Sequence, residues 1–298
     1  MKILITGGTG FIGSALIKRL LPQEHQITVL SRSSGKVGKL FADRVTPLTD
    51  LQALSESDHF DIIINLAGAP IFDKRWTAEQ KTIICNSRIQ LTQQLINKIA
   101  NMQHKPQLLI SGSAIGFYGD QGDTQLTEHS SGVADFSQQL CTDWEQTALQ
   151  AGQYGVRVCL MRTGLVLGKD GGLLQRMLLP FKLGLGGRIG NGQQWMSWIH
   201  LQDWISIAEA MISDSSMQGA YNATALNPVT NQEFSKTLAE VLNRPACLPL
   251  PAFALKTLLG EMSELVLGSQ RVFPERLVQH GFEFQFTDLR QALTDILK

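Results

Sequence analysis

Nothing in this sequence leans toward one charge: Lys plus Arg and Asp plus Glu number 26 each, so the formal net charge is zero. No basic stripe offers a surface to nucleic acid, and no polybasic helix offers one to an anionic membrane. Cysteine is scarce. The 4 thiols, Cys85, Cys141, Cys159 and Cys247, form no Cys-x-x-Cys motif and have no histidine at ligand spacing. That excludes a zinc site or a disulfide framework and leaves free thiols in a reducing compartment. No segment carries the roughly 18 or more apolar residues of a membrane span. The N-terminal apolar run is too short for a secretory signal and leads straight into a glycine turn. Internal repeats and low-complexity tracts are missing as well. These absences leave a soluble, cytoplasmic protein without a metal. With 43% apolar and 17% charged residues over 298 positions, it can hold one large domain or two unequal ones around a sizeable core.

What is present is concentrated at the start. Ile3 to Ile5 reads as a buried strand, Gly7, Gly10 and Gly13 follow three apart, and Ser14 to Leu21 has apolar residues at helical spacing. Strand, glycine turn and helix is the arrangement a dinucleotide pyrophosphate requires. Gly7 permits the tight turn, Gly10 lets backbone approach phosphate, and Gly13 lets the helix lie close on the sheet with its N–H groups aimed at the anion. Gln26 to Leu30 reads as the second strand. Ser31-Arg32-Ser33-Ser34 stands where NAD sites usually place a carboxylate; a cation and hydroxyls suit a 2′-phosphate, so NADP is expected over NAD.

Further strands are expected at Asp61 to Gly68, Pro106 to Ile110 and Val156 to Arg162, alternating with helices at Thr77 to Ala100 and Phe136 to Gln150. Lys36 to Pro47 reads as a loop with a short strand near Val45, and Leu51 to Ser57 as a short capped helix. The alternation argues a Rossmann-like α/β fold, a doubly wound parallel sheet, over residues 1–168, completed by parts of 195–230. Residues 169–298 are expected to supply mainly a smaller C-terminal substrate lobe and helical domain. Leu66, Ala67 and Gly68 are small enough to let a cofactor cross the strand end. Arg88 either reaches the cofactor phosphates or makes a surface salt bridge. Ser113 and Tyr118 follow a strand end and are placed to face a substrate. The glycine-dense run 184–192 and the tryptophans around His200 and Asp203 read as a lid or substrate wall, or as a structural β-excursion.

The segment Thr6-Gly7-Gly8-Thr9-Gly10-Phe11-Ile12-Gly13 is similar to the fingerprint of the extended short-chain dehydrogenase/reductases. Asn65-Leu66-Ala67-Gly68 and the Ser111 to Gly119 segment match that superfamily in order and spacing. Arg162-Thr163-Gly164-Leu165-Val166-Leu167-Gly168, Gly186 to Gly190, Trp198 to Asp203 and the Ser269 to Phe284 ending narrow the resemblance. It points to the atypical "epimerase family" proteins of the YfcH type, with their small C-terminal domain. The resemblance implies NADP binding at Gly7, Thr9, Gly10, Phe11, Ile12 and Gly13, with Arg162 carried over as a cofactor contact. It also implies a small-molecule substrate, with nucleotide sugars as a superfamily-level hint, and pairing into a homodimer.

The departure from that family lies in its Ser/Thr and Tyr-x-x-x-Lys proton shuttle. Ser113 stands at the serine position. Aligned on Glu145, however, Ser137 occupies the tyrosine position and Cys141 the lysine position. Serine is too weak an acid, and cysteine has no charge with which to lower a neighbour's pKa. Two readings follow. One is an NADP(H)-dependent oxidoreductase or epimerase with a rearranged site, using Ser113, Tyr118 and Glu145, or His200, as substitutes. The other is a non-catalytic NADP(H)-dependent sensor or partner-regulating protein.

Overall fold

Seven strands form one all-parallel sheet: β1 (Lys2–Thr6), β2 (Gln26–Leu30), β3 (Thr46–Leu48), β4 (Ile62–Asn65), β5 (Leu108–Ala114), β6 (Arg157–Thr163) and β7 (Gly219–Ala223). The computed structural model describes residues 1–298. The strand order is β7-β6-β5-β4-β1-β2-β3. The chain leaves β1 toward one edge through β2 and β3, then returns to β4 on the other side of β1. That reversal opens a crevice at the carboxyl ends of β1 and β4, where sheets of this kind bind ligands.

The helices are α1 (Phe11–Leu20), α2 (Ser34–Phe41), α3 (Ala78–Asn86), α4 (Ile89–Asn101), α5 (Phe136–Leu149), α6 (Gly172–Lys182), α7 (Leu201–Ser213), α8 (Asn231–Leu242), α9 (Ala252–Leu259), α10 (Glu264–Leu267), α11 (Glu275–Gln279) and α12 (Leu289–Leu297). Both faces of the sheet are covered, which is why its strands are apolar without interruption. Ile3, Ile5, Ile62 and Ile64 pack with Leu16, Ile17 and Ile205 on one side. Leu4 and Ile63 point to the other, with Leu95, Ile96 and Ile99 of α4. A separate core of Leu174, Phe181, Trp198, Phe234, Leu238, Leu289 and Leu293 holds the second lobe together.

Two elements differ from the sequence reading. Residues 34–41 are helix rather than loop. Ser33 caps the backbone N–H of Lys36, and Val37 and Phe41, one turn apart, are buried, so the cap and one apolar pair outweigh two glycines. The expected helix over 77–100 is two helices broken at Ser87-Arg88. Ser87 Oγ accepts from the Ala69 N–H at 2.8 Å and donates to the Ile84 carbonyl at 2.9 Å, tying the break to the chain just past β4. The glycine-dense run is also not loose. Ile189 pairs with Leu250, and a Cβ at Gly187 would lie 2.1 Å from the Leu248 carbonyl oxygen, so glycine there permits backbone contact. No helix is long and apolar enough to cross a membrane.

Candidate active site

The glycine turn leaves β1 through Gly7, whose φ of +70° is one that residues with a Cβ rarely adopt. A Cβ at Gly7 would lie 2.6 Å from the Leu66 carbonyl carbon, and one at Gly13 would lie 2.4 Å from the Gly7 oxygen. Both glycines are therefore fixed by backbone packing. A Cβ at Gly10 would meet only the Gly7 oxygen, at 3.2 Å; its other side is open. No side chain caps the first turn of α1, and no acidic residue stands in it. Uncapped N–H groups at the positive end of a ten-residue helix, beside an open glycine, form a cradle that fits a pyrophosphate.

This cradle is one wall of a cleft of about 1300 Å³, more than the roughly 300–1,000 Å³ of an ordinary ligand pocket and room for a dinucleotide with a second molecule. Gly7, Gly10, Phe11, Ile12, Gly13, Leu66, Gly68, Arg88 and Ser113 line it. Thr9 and Ala67 flank it, the latter donating its N–H to Thr6 Oγ1 at 3.1 Å. Ser31 and Arg32 lie beyond its end at the tip of β2, where Arg32 is exposed and forms no ion pair. Ser137, Cys141 and Trp144 of α5 line the cleft as well, and burial pushes the Cys141 thiol up to about 12.

Behind the wall runs a buried polar chain. Ser113 Oγ donates to Glu145 Oε1 at 2.6 Å, and Arg162 grips both oxygens of that carboxylate, from Nε and Nη2, at 2.9 Å each. Burial works against the Arg162 charge, but the Glu145 carboxylate outweighs it and raises the guanidinium's pKa further. Arg162 Nη1 donates to the Tyr118 hydroxyl at 3.1 Å, and that hydroxyl donates to Asn222 Oδ1 at 2.7 Å. Tyr118 is fully buried, and burial pushes its hydroxyl up to about 12. Tyr118, expected to face a substrate, has its hydroxyl hydrogen-bonded inside the protein and away from the cleft lining, while Glu145, expected as a substitute proton carrier, reaches the cleft only through Ser113. Arg162, expected as a cofactor contact, is not among the cleft-lining residues and spends its guanidinium on Glu145 and Tyr118. His200 is also elsewhere: it caps α7, stacks on Phe286 at 3.8 Å and lies 3.3 Å from Asp295 Oδ2.

Chemically, this leaves Ser113 at the cleft wall with its proton committed to Glu145. It can offer lone pairs to a ligand hydroxyl or N–H, but it is a poor donor toward a carbonyl. The opposite wall comes from the region expected to form a substrate lobe, with Gly190 and Asn191 of the glycine-dense run on it. Leu173 and Arg176 of α6, Lys256 of α9, and Leu265, Leu267 and Gln270 approach from the second lobe. The glycine-dense run was legible as a wall of this kind, whereas the individual side chains of α6, α9 and 264–270 were not.

A doubly wound parallel sheet with a glycine cradle at its switch point, closed by a second lobe, defines the Rossmann-like dehydrogenase and epimerase class. The chain belongs to the NAD dependent epimerase/dehydratase family, whose model matches residues 3–223, and a domain of unknown function, DUF1731, matches residues 250–296. It is 40% identical to the chloroplastic "Epimerase family protein SDR39U1 homolog" of Arabidopsis thaliana, over 100% of this chain and 87% of that one. It is 38% identical to "Epimerase family protein YfhF" of Bacillus subtilis, over 100% and 98%. The crystal structure of human epimerase family protein SDR39U1, isoform 2, with NADPH is similar at a TM-score of 0.90 and 32% identity, covering 99% of each chain.

Proposed function

We propose that this chain binds NADP(H) and acts as an oxidoreductase or epimerase on a small or nucleotide-sugar-like substrate, through a site without Tyr-x-x-x-Lys. The single observation that carries the reading is the open glycine cradle at the uncapped head of α1. Its support from outside the chain is the human relative named above, which was crystallised with NADPH. The preference for the phosphorylated form rests on Arg32, and the free thiols fit a reducing compartment such as the cytoplasm.

When bound, the cofactor would supply or accept a hydride. Around it, Gly7 to Gly13 would hold the pyrophosphate, Leu66 and Gly68 would leave room over the sheet, and Ser113 would orient a hydroxyl by accepting its hydrogen bond. Cys141, with its raised pKa, stays a protonated thiol and presents no charge. The second reading, a cofactor-dependent regulator without turnover, draws on one feature: Ser137 and Cys141 fill the shuttle positions while Tyr118 is withdrawn.

Fluorescence titration with NADPH and NADH decides the cofactor. Arg32→Glu should weaken NADPH at least about ten-fold and leave NADH within about two-fold. Equal wild-type affinities for the two refute the NADP assignment. A screen of sugar nucleotides and carbonyl compounds for loss of NADPH absorbance separates the two readings; bound NADPH, no turnover and a redox-dependent partner would favour the regulator.

A further inference from the structure

Arg88 is a half-buried cation on the cleft wall that the reading above leaves without a task. Its Nη1 donates to the carbonyls of Ala69 at 3.1 Å and Ile84 at 3.2 Å, and the guanidinium stands 5.4 Å from the Trp144 ring. It makes no ion pair. Its Nε–Nη2 edge lies over Gly68, where a Cβ would sit 2.7 Å from Cζ, 2.9 Å from Nη2 and 3.0 Å from Nε. The same edge of Arg162 is filled by Glu145. That edge of Arg88 donates no hydrogen bond within the protein.

The position is also unfavourable for a cation. Arg88 is the N-cap of α4, where the helix dipole is already positive and no acid stands in the first turn. The other charges on the cleft wall do not neutralise it. Arg176 pairs with Asp73 at 2.5 Å, Asp135 caps α5 through the Gln138 N–H, and Asp120, Lys256 and Glu264 are exposed and screened by water. Arg88 is therefore the one concentrated, uncompensated charge at this end. If the adenosine lies toward β2 and the pyrophosphate at α1, as the cofactor reading requires, the nicotinamide falls over β4 and β5. Arg88, Gly112, Ser113 and Trp144 stand there.

We propose that Arg88 makes the site selective for the redox state of the cofactor, favouring the neutral dihydronicotinamide of NADPH over the cationic ring of NADP+. The two forms differ by one positive charge on that ring, and a nearby unpaired guanidinium repels only the oxidised one. At a separation of several ångströms and an effective dielectric constant of about 20, the repulsion corresponds to a preference of about ten-fold or more. By linkage, a ten-fold preference raises the midpoint potential of the bound couple by about 30 mV.

The inference rests on the cofactor reading, and calorimetric titration of both forms tests the two separately. Wild type should bind NADPH about ten-fold tighter than NADP+. Arg88→Gln, which can still reach a carbonyl but has no charge, should bring the two within about two-fold, mainly by tightening NADP+; Arg88→Lys should keep the preference. Wild-type affinities within about two-fold, or tighter NADP+ binding, overturn the inference. So does an Arg88→Gln variant that loses both forms in parallel, since that is a purely structural role. The wild-type ratio decides by itself if the variant fails to fold. Binding of neither form by the wild type overturns the cofactor reading instead.

Discussion

Glu145 illustrates how a residue read from its place on a helix can have its contacts set by a distant strand. Its helix position was legible; its partner was not, because Arg162 lies on β6 and only folding brings the two together. As placed, the pair is a buried support for Ser113, with the two side chains 6% and 7% exposed. Removing one member strands a charge, so Glu145→Gln should cost about 3–5 kcal/mol in urea unfolding, and adding Arg162→Met should recover part of it. Tyr118→Phe leaves Asn222 Oδ1 short of a donor and should cost about 1–3 kcal/mol. Because Tyr118 lies outside the cleft, NADPH affinity should move less than about two-fold in that variant; a large loss would return Tyr118 to the site. Thiol labelling probes the same scale. Exposed Cys247 should react rapidly, while Cys141 and Cys159, with thiols pushed up to about 12 and about 11 by burial, should wait for unfolding.

The elements divide by how local their causes are. The strand, glycine turn and first helix were legible because each glycine answers a constraint within a few residues or in the neighbouring strand. The strands β4, β5 and β6 announced themselves by their apolar runs. The helix α2 was hidden because Gly35 and Gly38 suggest a loop, although its Ser33 cap and the Val37–Phe41 pair decide otherwise. Ser33→Ala should therefore destabilise the protein by about 1 kcal/mol, whereas a loop serine would show almost nothing. The break between α3 and α4 escaped for a different reason. Apolar spacing runs through it, and the interruption is imposed from outside by the hydrogen bonds of Ser87 and Arg88 to Ala69. That break turns Arg88 toward the cleft wall, so an unforeseen helix end sets the charge at the site.

For the whole molecule, the second lobe was legible as a substrate-facing lobe, but its contacts with the first lobe were not, because they join residues far apart in the chain. Its attachment is extensive. Lys81 pairs with Glu261, Asp73 pairs with Arg176 across the cleft, and the Asp203 carboxylate accepts from the N–H groups of Gln285 and Phe286. His200 joins the same seam. Burial lowers its pKa below the ordinary 6.5, against the opposing pull of Asp295. Below pH about 6.5 the unfolded chain takes up a proton that the native site resists, so this stability is present above that pH and lost as the pH falls. Urea unfolding at pH 7.5 and 5.5 should show the decline, and His200→Asn, which keeps a cap for α7, should flatten it.

Residues 269–277 return from the second lobe to the first. Val272 and Arg271 pair with Leu126 and Gln125, Ser269 bonds Gly122 and Asp120, and Arg276 holds the carbonyls of Gln218 and Ala220 at the edge strand β7. All seven strands of the sheet lie before residue 224, but the side chain that braces its edge strand and the strand that pairs with 125–126 come from far later in the chain. The region matching DUF1731 is thus bonded into the first lobe at the edge of its sheet. A chain cut before residue 250 should leave β7 without Arg276, and Trp198 and Phe234 without their α12 neighbours. It should emerge as a protease-sensitive, aggregating intermediate rather than a smaller cofactor-binding protein.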